Sequence, residues 1–328
     1  MNCMPRTVVF PIMRSLLALL LLVTASFVCH AGEPASFVAR SVHVHGKTWH
    51  YKLFIPDGWT AKRSWPVVLF LHGSGERGDD NRSQLSQGLP PWLRQHGKDF
   101  PAIVVIPQAP QESAWNGEVE QMALQALDDS IAAYHGDRQR LYLTGLSMGG
   151  YGAWQIAVDH PGMFAAAAII CGGIRHPNDN DRLRVRGIPD GVADPYAWVA
   201  EHLRALPVWI FNGAIDDVVP PEESHRMHAA LEARGSEVRY TEFPGVGHGS
   251  WDAAYATQGL WPWMFAHRLA PSPSRRKAGS IPSAIAAPAA HYPADIDAQR
   301  RAEQFAQHAR ADAVGIMHLR ELGLEQLQ

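Results

Sequence analysis

Cysteine is scarce: 3 of the 328 residues, at Cys3, Cys29 and Cys171. That excludes a small disulfide-stapled scaffold and leaves stability to an apolar core, which a chain of this length can supply. A surplus of one charge sign is also missing. Lys and Arg number 29 against 32 Asp and Glu, for a formal net charge of −3, so the basic excess of a nucleic-acid binder is absent. No P-loop occurs, and no Gly-x-Gly-x-x-Gly turn in a βαβ setting, which argues against a nucleotide cofactor. His43 and His45 alternate along an expected strand, but no further ligand cluster with metal spacing joins them. Neither cofactor nor metal is therefore expected.

Apolar runs of membrane-spanning length are lacking too. The strongest run, Ser15 to Val28, falls short of the ~20 residues of a full span. Arg6 and Arg14 precede it; Cys29-His30-Ala31 and then Gly32-Glu33-Pro34 follow. A positive start, a short apolar stretch and small residues at the −3 and −1 positions form the layout of a secretory signal, with a retained anchor as the competing reading. Residues 1–31 are thus expected to be removed on export, to a periplasmic or extracellular location. Cys171 would then be the remaining cysteine, leaving no internal disulfide and no stable membrane span. Oligomeric state is not legible.

What is present is a rhythm of strands and helices. Phe37 to Ile55 alternates around His45-Gly46-Lys47 and reads as a hairpin of two half-exposed strands. Continuous apolar runs follow at Val67–Leu71, Ile103–Ile106, Leu141–Thr144, Ala165–Cys171, Val208–Phe211 and Val238–Phe243, as suits strands covered on both faces. Helical stretches are expected at Glu118–Tyr134, Met148–Val158 and Pro221–Arg234, the last with Pro in its first turn and Gly235 as its stop. The alternation predicts an α/β fold: a mostly parallel, doubly wound sheet with an N-terminal antiparallel hairpin. Gly172–Leu206, rich in Arg, Asp, Asn, Gly and Pro, breaks the rhythm and is expected to be an insertion over the site. One catalytic domain is placed at residues 32–268. A Pro/Ala/Ser-rich linker follows at 269–294, then a helical or disordered tail at 295–328.

The chemistry centres on "LYLTGLSMGGYGAW". Gly145-Leu146-Ser147-Met148-Gly149 fits Gly-x-Ser-x-Gly, a pattern that chance alone can supply. Here a buried strand runs into it and a helix leaves it, the context of a nucleophile elbow. Such a turn lifts the serine Oγ clear of the sheet, and the flanking glycines leave room for neighbouring backbone. A serine needs a base, and the base an orienting acid, each expected at a later strand end. "FNGAIDDVVP" offers Asp216 and Asp217, which the residues alone do not separate. "FPGVGHGSW" offers His248, against the reading of a solvated loop histidine. Asp252 is a weaker rival acid, better suited to cap a short helix at Trp251–Tyr255.

The oxyanion is expected to meet the backbone N–H of Met148 and, from the turn in "FLHGSGERG", that of Ser74. His72 lies before the serine and more simply shapes the turn. Glu76 and Arg77 suit a structural pairing or a contact with substrate. Trp115 is a candidate pocket wall, with a place in the core as the equal alternative.

These ordered segments, with "FPAIVVIPQAP", resemble the α/β-hydrolase superfamily over roughly Val38 to Phe265. Within it they are similar to secreted esterases and predicted peptidases related to phospholipase/carboxylesterases, feruloyl esterases and polyhydroxybutyrate depolymerases. The resemblance implies a His-Gly-x-x-Asp-x-x-Val-Pro acid motif. It places the acid on Asp216, with Asn212 replacing the histidine at a position that only shapes the loop. It also implies a small-molecule or polymer-linked ester substrate. Prolyl-oligopeptidase-type peptidases carry a large β-propeller before the catalytic domain, for which this chain has no room, so esters are expected over peptides.

Overall fold

The structure is a computed structural model and describes residues 37–175 and 183–270. The expected leader and tail lie outside the described residues, as does the expected linker from residue 271 onward. Two left-handed residues, His45 (φ 50°) and Gly46 (φ 75°), close a tight turn between β1 (Phe37–Val44) and β2 (Lys47–Phe54). Paired left-handed dihedrals match the right-handed twist of the flanking strands. β2 then runs antiparallel to β4 (Ile103–Pro107), with Tyr51 opposite Pro107.

The other strands are β3 (Trp65–Leu71), β5 (Gly136–Leu146), β6 (Ala166–Ile170), β7 (Val208–Gly213) and β8 (Val238–Phe243). They form one sheet of order β1-β2-β4-β3-β5-β6-β7-β8, parallel from β4 to β8. Every residue of β3, β4, β6 and β7 is buried, so their unbroken apolar runs follow from a sheet covered on both faces. Along β3, Val67, Leu69 and Leu71 point into one core, and Val68 and Phe70 into the other.

The first core is covered by α2 (Glu118–Ala133), α3 (Met148–Asp159), α4 (Pro195–Leu203) and α5 (Pro221–Ala233). The second is covered by α1 (Leu89–His96), α6 (Trp251–Tyr255) and α7 (Leu260–Ala266). Trp65, Trp115 and Trp154 are fully buried; sequestering a large apolar side chain contributes roughly 1.5–3 kcal/mol each.

One expectation is corrected. Residues 183–206 do not form an insertion over the site; they supply α4, the crossover helix between β6 and β7. Asp194 caps it by accepting the Tyr196 and Ala197 amides, with Pro195 in the first turn, and Tyr196, Val199, Ala200 and Leu203 enter the core. The loop-like composition ahead of it conceals the helix of an ordinary βαβ unit, with β6 and β7 parallel neighbours. Residues 176–182 lie outside the described residues.

The tightest approach in the sheet is where α3 meets the end of β3. A Cβ on Gly149 would lie 2.0 Å from the Leu71 carbonyl oxygen and 2.8 Å from that of His72. Gly149→Ala is expected to lower stability by at least about 3 kcal/mol, the upper end of ordinary overpacking, since backbone atoms must move. Urea unfolding checks this; an unchanged midpoint would disprove the close packing.

Candidate active site

β5 ends at Leu146 and α3 begins at Met148, so Ser147 alone makes the turn. Its backbone is left-handed, φ 52° and ψ −119°, a conformation that costs a non-glycine residue about 1–3 kcal/mol. Its neighbours hold it there. The Ser147 amide donates to the Ile170 carbonyl at 3.0 Å, and its own carbonyl accepts from Gly150 at 2.8 Å and Tyr151 at 3.1 Å. A Cβ on Gly145 would meet the Gly149 carbonyl at 2.2 Å, so strand and helix backbones touch. The first amides of α3, Met148's among them, have no carbonyl one turn earlier to bond, and the helix dipole adds partial positive charge there.

Two later loops meet this serine. His248 Nε2 lies 2.8 Å from Ser147 Oγ, and His248 Nδ1 lies 2.9 Å from Asp216 Oδ2. Asp216 is buried, and its Oδ1 also accepts the Val218 and Val219 amides at 2.9 Å each. An acceptor-only carboxylate at Nδ1 requires the proton there, which leaves the Nε2 lone pair facing the serine hydroxyl. Asp217 is exposed, and Asp252 sits in the first turn of α6; neither is hydrogen-bonded to His248 among the described residues. Asn212 does more than shape the loop. Its Nδ2 reaches the Gly213 and Val219 carbonyls and Asp216 Oδ2 at 3.4 Å, while its Oδ1 accepts from Ser224.

The third side of the site is the turn after β3. Residues Ser74–Glu76 form one 3-10 turn with Gly73 as its N-cap. A Cβ on Gly73 would stand 3.7 Å from the Ser147 Cβ, so this turn flanks the serine. Beneath it, the buried His72 accepts from the Ala109 amide through Nε2 at 3.0 Å and donates from Nδ1 to the Gly73 carbonyl at 2.6 Å. Burial pushes its pKa down to about 3, so the ring is neutral and serves as a strut between the ends of β3 and β4.

The chain matches the prolyl oligopeptidase family over residues 115–266. It is 32% identical to a poly(3-hydroxyoctanoate) depolymerase of Pseudomonas fluorescens, over 65% of this chain and 77% of the depolymerase. The chain belongs to the α/β-hydrolase superfamily. A probable feruloyl esterase C of Aspergillus niger is 24% identical over 55% of this hydrolase and 62% of the esterase. The crystal structure of a thermostable esterase is 31% identical with a TM-score of 0.57, covering 71% of this chain and 63% of that one. The hydrolase therefore spans most of the depolymerase but under two thirds of either esterase.

Three features of the hydrolase's site go beyond what the residues suggested. Gln108 ties the turn after β3 together, donating to Asp80 at 2.8 Å and to the Glu76 carbonyl at 3.3 Å, and accepting from the Asn81 amide at 2.7 Å. Glu76 is buried beneath the same turn. Cys171, at the end of β6, carries a left-handed φ of 40°. With Asp216 and His248 it offers ligand atoms within 4.8 Å of one another. Both His248 nitrogens are already engaged there, however, and burial pushes the Cys171 thiol up, against the thiolate a metal would need.

Of the two readings of Trp115, the core placement has the contacts. It is 1% exposed, its ring meets His72 edge-on, and its indole N–H donates to the His72 carbonyl at 2.9 Å. It also lines a narrow cavity beside Met148 and Tyr151, and it supports the turn from the core. Trp115→Phe keeps most of the ring but strands the His72 carbonyl. Denaturant unfolding is expected to report a loss of about 1–3 kcal/mol; an equal midpoint would show the bond carries nothing.

Proposed function

We propose that this α/β hydrolase is an exported serine hydrolase that cleaves carboxylic esters through an acyl-enzyme. The observation that carries the reading is the unbroken line Asp216–His248–Ser147, with its 2.9 Å and 2.8 Å links. Ser147 Oγ attacks the ester carbonyl as His248 Nε2 takes its proton, and Asp216 stabilises the imidazolium and fixes its tautomer. The Ser74 and Met148 amides receive the oxyanion. His248 then returns the proton to the departing alkoxide, leaving an acyl group on Ser147. Water, deprotonated by the same imidazole, releases the acid and regenerates the serine.

Two relatives above 30% identity support ester over amide bonds: one is a polyester depolymerase and the other an esterase. The rim fits an apolar acyl or polyester chain. Trp251 stands 5.8 Å from the His248 ring, centroid to centroid, and Ile215, next to Asp216, is 65% exposed. A cleft of about 360 Å³ between the start of β2 and the Gly78–Asp79 turn, walled by Trp49 and Pro110, opens on the same edge of the sheet. It gives room for a substituent remote from the ester. Export rests on the N-terminal layout of charge, apolar run and small residues.

The prolyl oligopeptidase match supports a second reading, a small serine peptidase. A matched panel of esters and peptide amides separates the two by relative kcat/KM.

Ser147→Ala is expected to abolish both p-nitrophenyl acetate turnover and fluorophosphonate labelling while leaving thermal unfolding intact. Labelling that persists would remove Ser147 from the mechanism. Asp216→Asn is expected to lower kcat by roughly 10⁴-fold, because the amide no longer imposes the required tautomer. Asp217→Asn should leave kcat unchanged; the opposite order would move the acid.

A further inference from the structure

We infer that Glu76 is a positioning residue for the oxyanion site: its buried carboxylate clamps the turn after β3 so that the Ser74 amide is held free beside Ser147. The inference rests on the serine mechanism proposed above. It concerns a group that mechanism does not use.

Glu76 is only 7% exposed, and a carboxylate is costly to bury unless its bonds repay the desolvation. Its carboxylate faces the backbone amides of Gly73 and of Glu76 itself, which favour the charged form, and the Glu76 amide also donates to the Gly73 carbonyl at 3.5 Å. A Cβ on Gly73 would lie 3.0 Å from Glu76 Oε2 and 3.7 Å from the Ser147 Cβ. The carboxylate and the candidate nucleophile therefore both press on the one face of Gly73. His72 binds the carbonyl of that same Gly73. The Gly73 carbonyl is thus held by His72 and by the Glu76 amide, the Gly73 amide faces the Glu76 carboxylate, and the plane of the following peptide is set between them. That peptide carries the Ser74 amide, which takes no hydrogen-bond acceptor among the described residues. A carboxylate can accept two N–H groups in charge-assisted bonds; a carboxamide offers one oxygen and turns an NH2 toward the second amide.

Several groups face Glu76. Arg77 beside it favours the charged form. His72 below it is neutral, and Asp80 reaches it through Gln108. His248 lies beyond Ser147. Burial outweighs Arg77 and the two amide bonds and pushes the Glu76 carboxyl up to about 7 from its ordinary 4.5. The sign follows. The folded chain holds this proton more tightly than the unfolded chain, so its contribution to stability falls as pH rises from 4.5 to about 7. The clamp works in the opposite sense: it is complete only above about 7, where the carboxylate is ionised.

The experiment compares wild-type enzyme with E76Q on p-nitrophenyl acetate, with a trifluoromethyl ketone as a mimic of the tetrahedral adduct. E76Q is expected to lose roughly 10–100-fold in kcat at pH 8, short of the ~10²–10³ cost of removing a donor outright. KM should hold, and affinity for the ketone should fall in step with kcat. The acid limb of the wild-type kcat/KM profile should fall with two protons, and that of E76Q with one. The melting temperature of E76Q at pH 8 should be no lower than that of wild type, since a buried charge is gone. Wild-type kcat in E76Q, or ketone affinity unchanged while kcat falls, overturns the inference. Should E76Q fail to fold, the wild-type profile decides, and a one-proton acid limb overturns the coupling. Failure of the serine mechanism itself is a different result: fluorophosphonate labelling that survives Ser147→Ala.

Discussion

The site depends on one backbone contact, the approach of Gly149 to the carbonyls at the end of β3. Where a Cβ would stand 2.0 Å from the Leu71 oxygen, the helix after the serine is pressed against the neighbouring strand. That proximity forces Ser147 into its left-handed conformation, because no relaxed turn connects β5 to a helix so close. The strain, about 1–3 kcal/mol, has no route of escape. β3, β5 and β6 run parallel side by side, and the Ile170 carbonyl pins the Ser147 amide from the far side. The same contact brings the turn after β3 to the serine, so the proposed nucleophile and the proposed oxyanion donors share one geometric cause.

Much of this was legible in the sequence, for a physical reason. A strand buried on both faces reads as an unbroken apolar run, and β3, β4, β6 and β7 could be placed within a residue or two. β5 was read too short. It begins at Gly136, which lies opposite Trp65; the register then shifts across polar residues 137–140 before the apolar run pairs from Leu141. Helices were missed where local composition misleads. α1 carries two prolines in its first turn, and α4 follows a stretch dense in Gly, Pro and Asp. In both cases the prolines sit where the helix lacks amide partners anyway, and so do no harm.

Among site residues, those that end strands could be given chemical roles, whereas of those that brace turns His72, Glu76 and Asn212 could be named without their partners and Gln108 not at all. Ser147, Asp216 and His248 each follow an apolar run, so topology gathers them at one edge of the sheet. Glu76, Gln108 and Asn212 owe their roles to contacts that no local pattern records. Gln108 meets Glu76 across 32 residues of chain. Asn212 meets Asp216 within four residues, but only because the loop folds back to bring Val219 onto the same amide. His72 invited the opposite error. A histidine beside a candidate nucleophile suggests a base, yet burial leaves it neutral and fully committed to Ala109 and Gly73.

The buried polar groups show how the fold divides its labour. His72, Glu76, Gln108, Asn212 and Asp216 all sit where strands end, and apolar side chains would fill those places with less desolvation. What apolar side chains cannot do is fix the direction of a peptide plane. Asp216 binds the Val218 and Val219 amides as well as His248, so the acid proposed to orient the base is itself oriented by its own loop. Asn212 spans that loop, and His72 and Gln108 span the gap between β3 and β4. Each polar side chain here fixes backbone, and the backbone in turn fixes a reacting group or a donor. The apolar cores on both faces provide stability enough to bear these costs along a single edge. Catalytic geometry in this fold is therefore a property of the strand ends and the turns between them, and the sheet supplies the rigidity against which those turns are set.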